Sequence, residues 1–390
     1  CTNSDLDDHG MGLSSCKPVH ARYRDGTGRR YDPRNARRSS VGRGWQALCS
    51  CLIWLWAWAA PAAPLRLATY NAELTAQGPG LALQALMRGS DPSQLAAAQV
   101  LTTLNADVIL LTGIDFDLRG QTLASFAAKI TGPPYPYLLA LRPNTGVATG
   151  LDLDGNGRFG EPRDAMAYGR FAGQAGMAVL SRLPIDTAQI RDFSGFLWQD
   201  LPHNLAPVGT PAMQRLSTSG HYEVPIILPD GHRLRLLAYY ATPPVFDGPE
   251  DRNGRRNHDE TAFWLRLLTG QLPIPPPEPP FALLGQSNLD PVDGEGLPNA
   301  MQALLRLPLL QDPEPRGQNA SPDMGHLGDS ALDTALYPNT GGLRVEVVLP
   351  SRELTVTAAG VMRPLPDDPF AAVLTQASRH WPVWVDLMLP

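Results

Sequence analysis

The feature that most constrains this chain is a strand, helix, strand order read between Leu65 and Leu111. Leu65-Arg-Leu-Ala-Thr-Tyr70 alternates as a strand with two different faces does, and it leads into Asn71-Ala-Glu-Leu74. Asp91-Pro-Ser-Gln opens a helix with a cap and an early proline, and the pattern runs to Leu104 before Asn105 stops it. Asp107-Val-Ile-Leu-Leu111 is then short and apolar throughout, as a strand covered on both faces is. With 39 prolines and 36 glycines in 390 residues, long connections must separate such elements, which suits an α/β architecture and not a helical bundle.

Further strands are expected at Gln174 to Ser181, with Pro184 to Ile190 beside it, and at Phe281 to Gly285. Tyr222 to Leu228 and Arg233 to Tyr240 flank Pro229-Asp-Gly-His232, a hairpin signal. Leu343 to Pro350, Leu354 to Val361 and Trp381 to Met388 complete the set, with a helix over Asn257 to Leu268 that Gly270 closes.

The first 63 residues read differently. Arginines 37, 38 and 43 precede an apolar stretch from Ala47 to Ala60 that ends in small residues, the pattern of a signal peptide over 41–63 and of export to the periplasm or beyond. The stretch is shorter than the ~20 residues of a spanning helix. Residues 1–40 have no apolar periodicity and are expected to be a disordered extension from a misplaced start. All four cysteines, Cys1, Cys16, Cys49 and Cys51, fall in this part, so the remainder has neither disulfides nor thiolate metal ligands. Residues 64–390, expected as one domain, hold 23 Lys+Arg against 33 Asp+Glu, net −10, which argues against a nucleic-acid partner.

Phe281-Ala-Leu-Leu-Gly-Gln-Ser-Asn-Leu-Asp-Pro291 resembles a catalytic strand end, Gly-Asp-x-Asn-x-Asp-Pro, with Gln286 in place of its first aspartate. Together with the order of elements from Leu65 to Leu389, and with Thr242-Pro-Pro-Val-Phe-Asp-Gly-Pro-Glu-Asp-Arg-Asn-Gly-Arg-Arg-Asn257, it resembles the endonuclease/exonuclease/phosphatase superfamily, most of all its exported bacterial members. The resemblance implies a four-layer α/β sandwich, two mixed β-sheets flanked by helices. It also implies a divalent cation, usually magnesium, held by carboxylates, with histidines acting on a phosphate ester.

The resemblance assigns the site residue by residue. Asn71, Asn288 and His380 are retained. Gly113 stands where a metal-binding glutamate is expected, Tyr240 where a histidine is, Gln286 for the aspartate that aligns water, and Arg379 for the carboxylate that orients His380. Glutamine is not a base and tyrosine does not titrate near neutrality. Three lost carboxylates and one added cation imply a pseudoenzyme that has lost magnesium and hydrolysis, retaining a cleft for a phosphate-containing small molecule or lipid. The alternatives are an active phosphodiesterase or phosphatase with a metal site rebuilt on Asp115, Asp117 or Asp290, and an extracytoplasmic partner-binding protein.

Asp152-Leu-Asp-Gly-Asn-Gly157 begins like a calcium loop, with Asp152, Asp154 and Asn156 as oxygen donors, but its twelfth position is Arg163 and Asp164 is out of register. A turn built on Asx side chains and glycines accounts for it more simply. Asp247 to Asn257 reads either as a loop over the pocket or as an internally paired connector. His221 and His258 have no evident base or metal partner.

Overall fold

Alternation along the first strand decides the architecture. In β1 (Leu65–Leu74), Leu65 and Leu67 face one way, Ala68, Tyr70 and Ala72 the other, and both sets are buried. Such a strand needs a cover on each side. The computed structural model describes residues 64–320 and 325–389. The expected extension over 1–40 and the signal peptide over 41–63 lie outside them.

After β1 come α1 (Leu81–Arg88), α2 (Pro92–Leu104), β2 (Val108–Ile114), α3 (Gln121–Ala127), β3 (Tyr137–Leu141), β4 (Gly176–Ser181), β5 (Arg191–Asp192), β6 (Gly220–Ile227) and β7 (Arg233–Tyr240). Then follow α4 (Arg252–Leu268), β8 (Phe281–Gln286), α5 (Asn299–Leu305), β9 (Ala335–Tyr337), β10 (Gly341–Leu343), β11 (Glu346–Pro350), β12 (Thr355–Val361), α6 (Pro369–Ala377) and β13 (Val383–Met388). One mixed sheet runs β12-β13-β1-β2-β4-β3 and the other β11-β8-β7-β6-β5, with β10-β9 as a separate ribbon.

The sheets share a core in which Leu67, Leu110 and Val385 meet Leu236, Leu284 and Val348. On the outside of the first sheet pack Leu86, Leu101, Phe126 and Leu374 from α1, α2, α3 and α6, and on the outside of the second Phe263, Trp264 and Met301 from α4 and α5. This is the four-layer α/β sandwich expected from the sequence. No helix of the described residues is long and apolar enough to cross a membrane.

The α2 start follows its letters: the Asp91 carboxylate accepts from Ser93 N at 2.9 Å, Pro92 takes the first turn, and Asn105 ends the helix in a left-handed conformation. Three expectations are corrected. The helix expected from Asn257, α4, starts five residues earlier at Arg252, because its first turn is held by polar pairs that an apolar period does not register, Arg252 with Gln214 Oε1 and Asn253 Nδ2 with the carbonyl of Val245. Pro184 to Ile190 is not a strand beside β4: Pro184 has no N–H for a ladder, Ile185 makes a single bridge to Ile226, and residues 187–189 form a 3-10 turn. The strand expected from Leu343 to Pro350 breaks at Arg344 and Val345, where the Thr334 hydroxyl accepts the N–H of Val345.

Candidate active site between the sheet ends

The same alternation builds a cleft. Apolar residues facing the opposite sheet are followed, two positions on, by Thr112 in β2, Tyr240 in β7 and Gln286 in β8, and four positions after Leu67 by Asn71 in β1; Glu346 opens β11 two residues before Val348. Period two therefore delivers five polar side chains to one end of the shared core. They surround or underlie a cavity of 520 Å³ lined by Asn71, Tyr240, Gln286, Asn288, Arg379 and His380, among others. Six of the seven residues assigned from sequence thus converge, and the seventh abuts them.

That seventh residue, Gly113, lies in a bulge between β1 and β2 with φ +71°. A Cβ there would lie 2.2 Å from Asn71 Oδ1. A glutamate at this position would thus need both another backbone conformation and another place for Asn71.

What fills the cleft floor is a closed chain of amides. Asn71 Nδ2 donates to Gln286 Oε1 at 2.7 Å and faces His380 Nε2 at 3.3 Å, while Asn71 Oδ1 accepts from Glu73 N. Gln286 Oε1 also accepts from the Thr112 hydroxyl, and Gln286 Nε2 donates to Asn288 Oδ1 at 2.7 Å. Asn288 Nδ2 ends the chain on the carbonyl of Ala241. A carboxylate at 286 would set an acceptor against Asn288 Oδ1, so the chain requires the amide. Tyr240 keeps its proton: burial pushes its hydroxyl up to about 12, with Glu73 and Glu346 adding to the effect.

His380 corrects the sequence reading. The orienting carboxylate read as lost to Arg379 has a counterpart from another strand: Glu346, fully buried, lies with Oε1 2.5 Å from Nδ1. Arg379 instead turns to Glu73, Nε to Oε1 at 2.8 Å. Glu73 and Glu346 were both missed. The signals were present: Glu73 shares the parity of Asn71, and a lone acid heads the otherwise apolar Val345 to Pro350.

The rebuilt-site candidates serve the backbone. Asp115 accepts from Thr75 Oγ1, Ala76 N and Ala175 N. Asp117 accepts the N–H groups of Arg119, Gln121 and Thr122 before α3. Asp290 borders the cleft, but its carboxylate takes Val292 N, Asp293 N and Arg344 N.

The profile described as Endonuclease/Exonuclease/phosphatase family matches residues 68–380. The chain belongs to this family. Among solved structures it is similar to an endonuclease/exonuclease/phosphatase from Beutenbergia cavernae, with 17% identity over 84% of this chain and 72% of that one at a TM-score of 0.51. A sphingomyelinase C from Streptomyces griseocarneus matches at 16% identity over 83% and 99% with a TM-score of 0.46, and a mannosyl-6-phosphatase from Bacteroides thetaiotaomicron at 15% over 83% and 100%, also 0.46. No curated protein matches.

Endonuclease/exonuclease/phosphatase proteins generally depend on a divalent cation, and the Asn71, Gln286 and Asn288 floor of this cleft offers it no carboxylate. Magnesium takes hard oxygen ligands, normally including a carboxylate or two. Here Glu73 is held by the Arg379 side chain, Arg379 N and the Ser378 hydroxyl, and Glu346 is against His380. Among the described residues, three or more acidic, histidine or cysteine groups converge within 4.8 Å of one another only at Asp152, Asp154 and Asp164.

That trio keeps Asp152 and Asp154 of the expected calcium loop and has Asp164 in place of Asn156. The turn Pro162–Asp164 brings in Asp164, whereas Asn156 turns its amide to Asp154 and Glu161. The carboxylate of Asp152 accepts the N–H groups of Gly155, Asn156 and Gly157, and that of Asp164 those of Leu153 and Glu161. The loop is therefore self-braced as an Asx turn.

The Asp247 to Asn257 segment leads into a polar root under the cleft. Buried Arg256 donates to the carbonyls of Leu216, Met166, Arg215 and Ser217. Asn257 Nδ2 bridges the carbonyls of Thr242 and Ser287, and Glu260 accepts from Thr242 N at 2.7 Å and from Thr218 N. His221, set aside from sequence, lies between the Ser217 hydroxyl and the carbonyl of Glu260 at 2.7 Å each, and His258 is 2.9 Å from Asp259.

Proposed function

We propose that this protein is an exported member of the family that has lost metal-dependent hydrolysis and binds a phosphate-bearing small molecule or lipid in the old cleft. One observation carries the reading: the floor is a neutral amide chain in which Asn71, Gln286 and Asn288 satisfy one another, with a left-handed Gly113 where an anchoring carboxylate is expected. The group that would supply the nucleophile and neutralise phosphoryl charge has no seat there. Arg379 and the hydroxyls of Tyr240 and Tyr337 are the donors in the cleft that suit a phosphoryl oxygen. Export is supported by the arginine, apolar stretch and small-residue pattern over 41–63.

A second reading, an active phosphoesterase, is favoured by the Glu346 and His380 pair and by Glu73 at the cleft wall. The two separate on one assay of the purified protein with magnesium, manganese or calcium, using bis(p-nitrophenyl) phosphate and p-nitrophenyl phosphate. We expect no turnover above that of Asn288→Ala. Metal-dependent turnover lost in both Asn288→Ala and His380→Ala would sink the first reading.

A further inference from the structure

The Thr242 to Asn257 segment walls two cavities. Beside the 520 Å³ cleft lies one of 880 Å³, and Pro243, Val245 and Phe246 line both. Phe246 stands on the ridge between them, 81% exposed and with φ +73°. Residues with a Cβ rarely adopt that backbone, and a phenylalanine gains nothing there from its own core. The loop is nevertheless braced on either side of it, because Asn253 Nδ2 donates to the carbonyl of Val245 and Asn253 N to the carboxylate of Asp247. An exposed aromatic held in a sparsely populated conformation points to a ligand.

The lining of the larger cavity narrows the chemistry. Tyr168 presents a second aromatic side chain, 61% exposed, and Asp154, Asp247 and Glu250 stand with Arg163, Arg252 and Arg256 as charged groups of both signs. An acyl chain would meet too many charges, and a polyanion would meet three carboxylates. A polyhydroxylated ring suits both features, laying C–H groups on an aromatic face and giving hydroxyls to carboxylate and guanidinium.

We propose that the larger cavity is a subsite for a sugar ring, with Phe246 as its platform. The polar end of the same ligand then reaches the Asn71 to His380 cleft, a part of the proposal that rests on the function proposed above.

Calorimetry on the full chain, with a chelator present, tests it with glucose 6-phosphate, glycerol 3-phosphate, glucose and octyl phosphate. Glucose 6-phosphate is expected to bind at least ~10-fold more tightly than glycerol 3-phosphate. Phe246→Ala should erase that difference without moving the thermal midpoint, and Phe246→Trp should retain it. Equal affinities, indifference to Phe246→Ala, tighter binding of octyl phosphate, or no binding of either sugar each overturn the subsite. Binding of glucose with no gain from its phosphate supports the subsite and sinks the phosphate cleft; hydrolysis of bound glucose 6-phosphate once magnesium is added sinks the loss of catalysis and leaves the Phe246 comparison readable.

Discussion

The cleft floor and the root of α4 are both buried and polar, yet they are wired differently. In the cleft, side chains engage chiefly one another: Asn71 donates to Gln286, Gln286 donates to Asn288, and His380 lies in ion-pair contact with Glu346. At the root they satisfy the main chain, Arg256 on four carbonyls, Asn257 on two and Glu260 on two N–H groups. A set bonded mostly within itself can be exchanged as a set while the backbone stays put. A group that holds several loops cannot, since each loop would be left with an unpaired buried group. Chemistry is thus easier to change here than scaffold.

The sharpest way to break this contrast is Arg256→Met. Four carbonyls lose a donor, those of Met166, Arg215 and Ser217 keeping one from Gln214 or Asn144, and Glu260 loses its nearby cation; we expect ~3–5 kcal/mol of lost stability, read from the urea midpoint. A loss below ~1 kcal/mol would erase the distinction between root and cleft.

The pH dependence of the root comes next. Burial raises Glu260 to about 7, against the pull of Arg256, and lowers His221 to about 4. The folded state therefore holds an extra proton on Glu260 between its unfolded value near 4.5 and 7, so stability falls as pH rises through that window. His221 binds fewer protons when folded between about 4 and 6.5, so its contribution rises with pH, and the two nearly cancel. Glu260→Gln should uncover a rise of roughly 3 kcal/mol from pH 4 to 6.5, seen in urea titrations across pH. A flat profile in that variant would contradict the assignment.

Gly113→Glu, the change that restores the expected ligand, should lower stability by about 2–3 kcal/mol by forcing a left-handed glutamate against Asn71, without conferring magnesium binding in calorimetry. Binding below millimolar magnesium would show that the amide chain yields more readily than its closure implies. The smallest effect is expected for Arg379→Ala. Its pair with Glu73 is about half exposed, so stability should change by less than ~1 kcal/mol in thermal melts.

Much of the site was legible because strand parity is written in the letters. The family resemblance placed Asn71, Tyr240 and Gln286 in one site, and the structure gives the reason it holds, since each shares strand parity with inward-facing apolar residues. His380 was found but misassigned, since its partner Glu346 comes from a strand more than thirty residues away and across the sheets. Asp164 was put out of register because a 3-10 turn brings it back to Asp152 and Asp154, a step that counting along the chain does not contain.

By itself the sequence determined the strands and helices of an α/β chain, through apolar alternation and caps such as Asp91, and its family resemblance supplied the layered arrangement and the residues that reach the cleft. Only the tertiary structure decided what those residues do there. It joined three amides into one neutral chain, gave Arg379 to Glu73 and Glu346 to His380, and raised Phe246 onto a ridge between two cavities. The reason is physical: periodicity is local and survives in one dimension, whereas hydrogen-bond partners are set by which distant segments packing brings within about 3 Å.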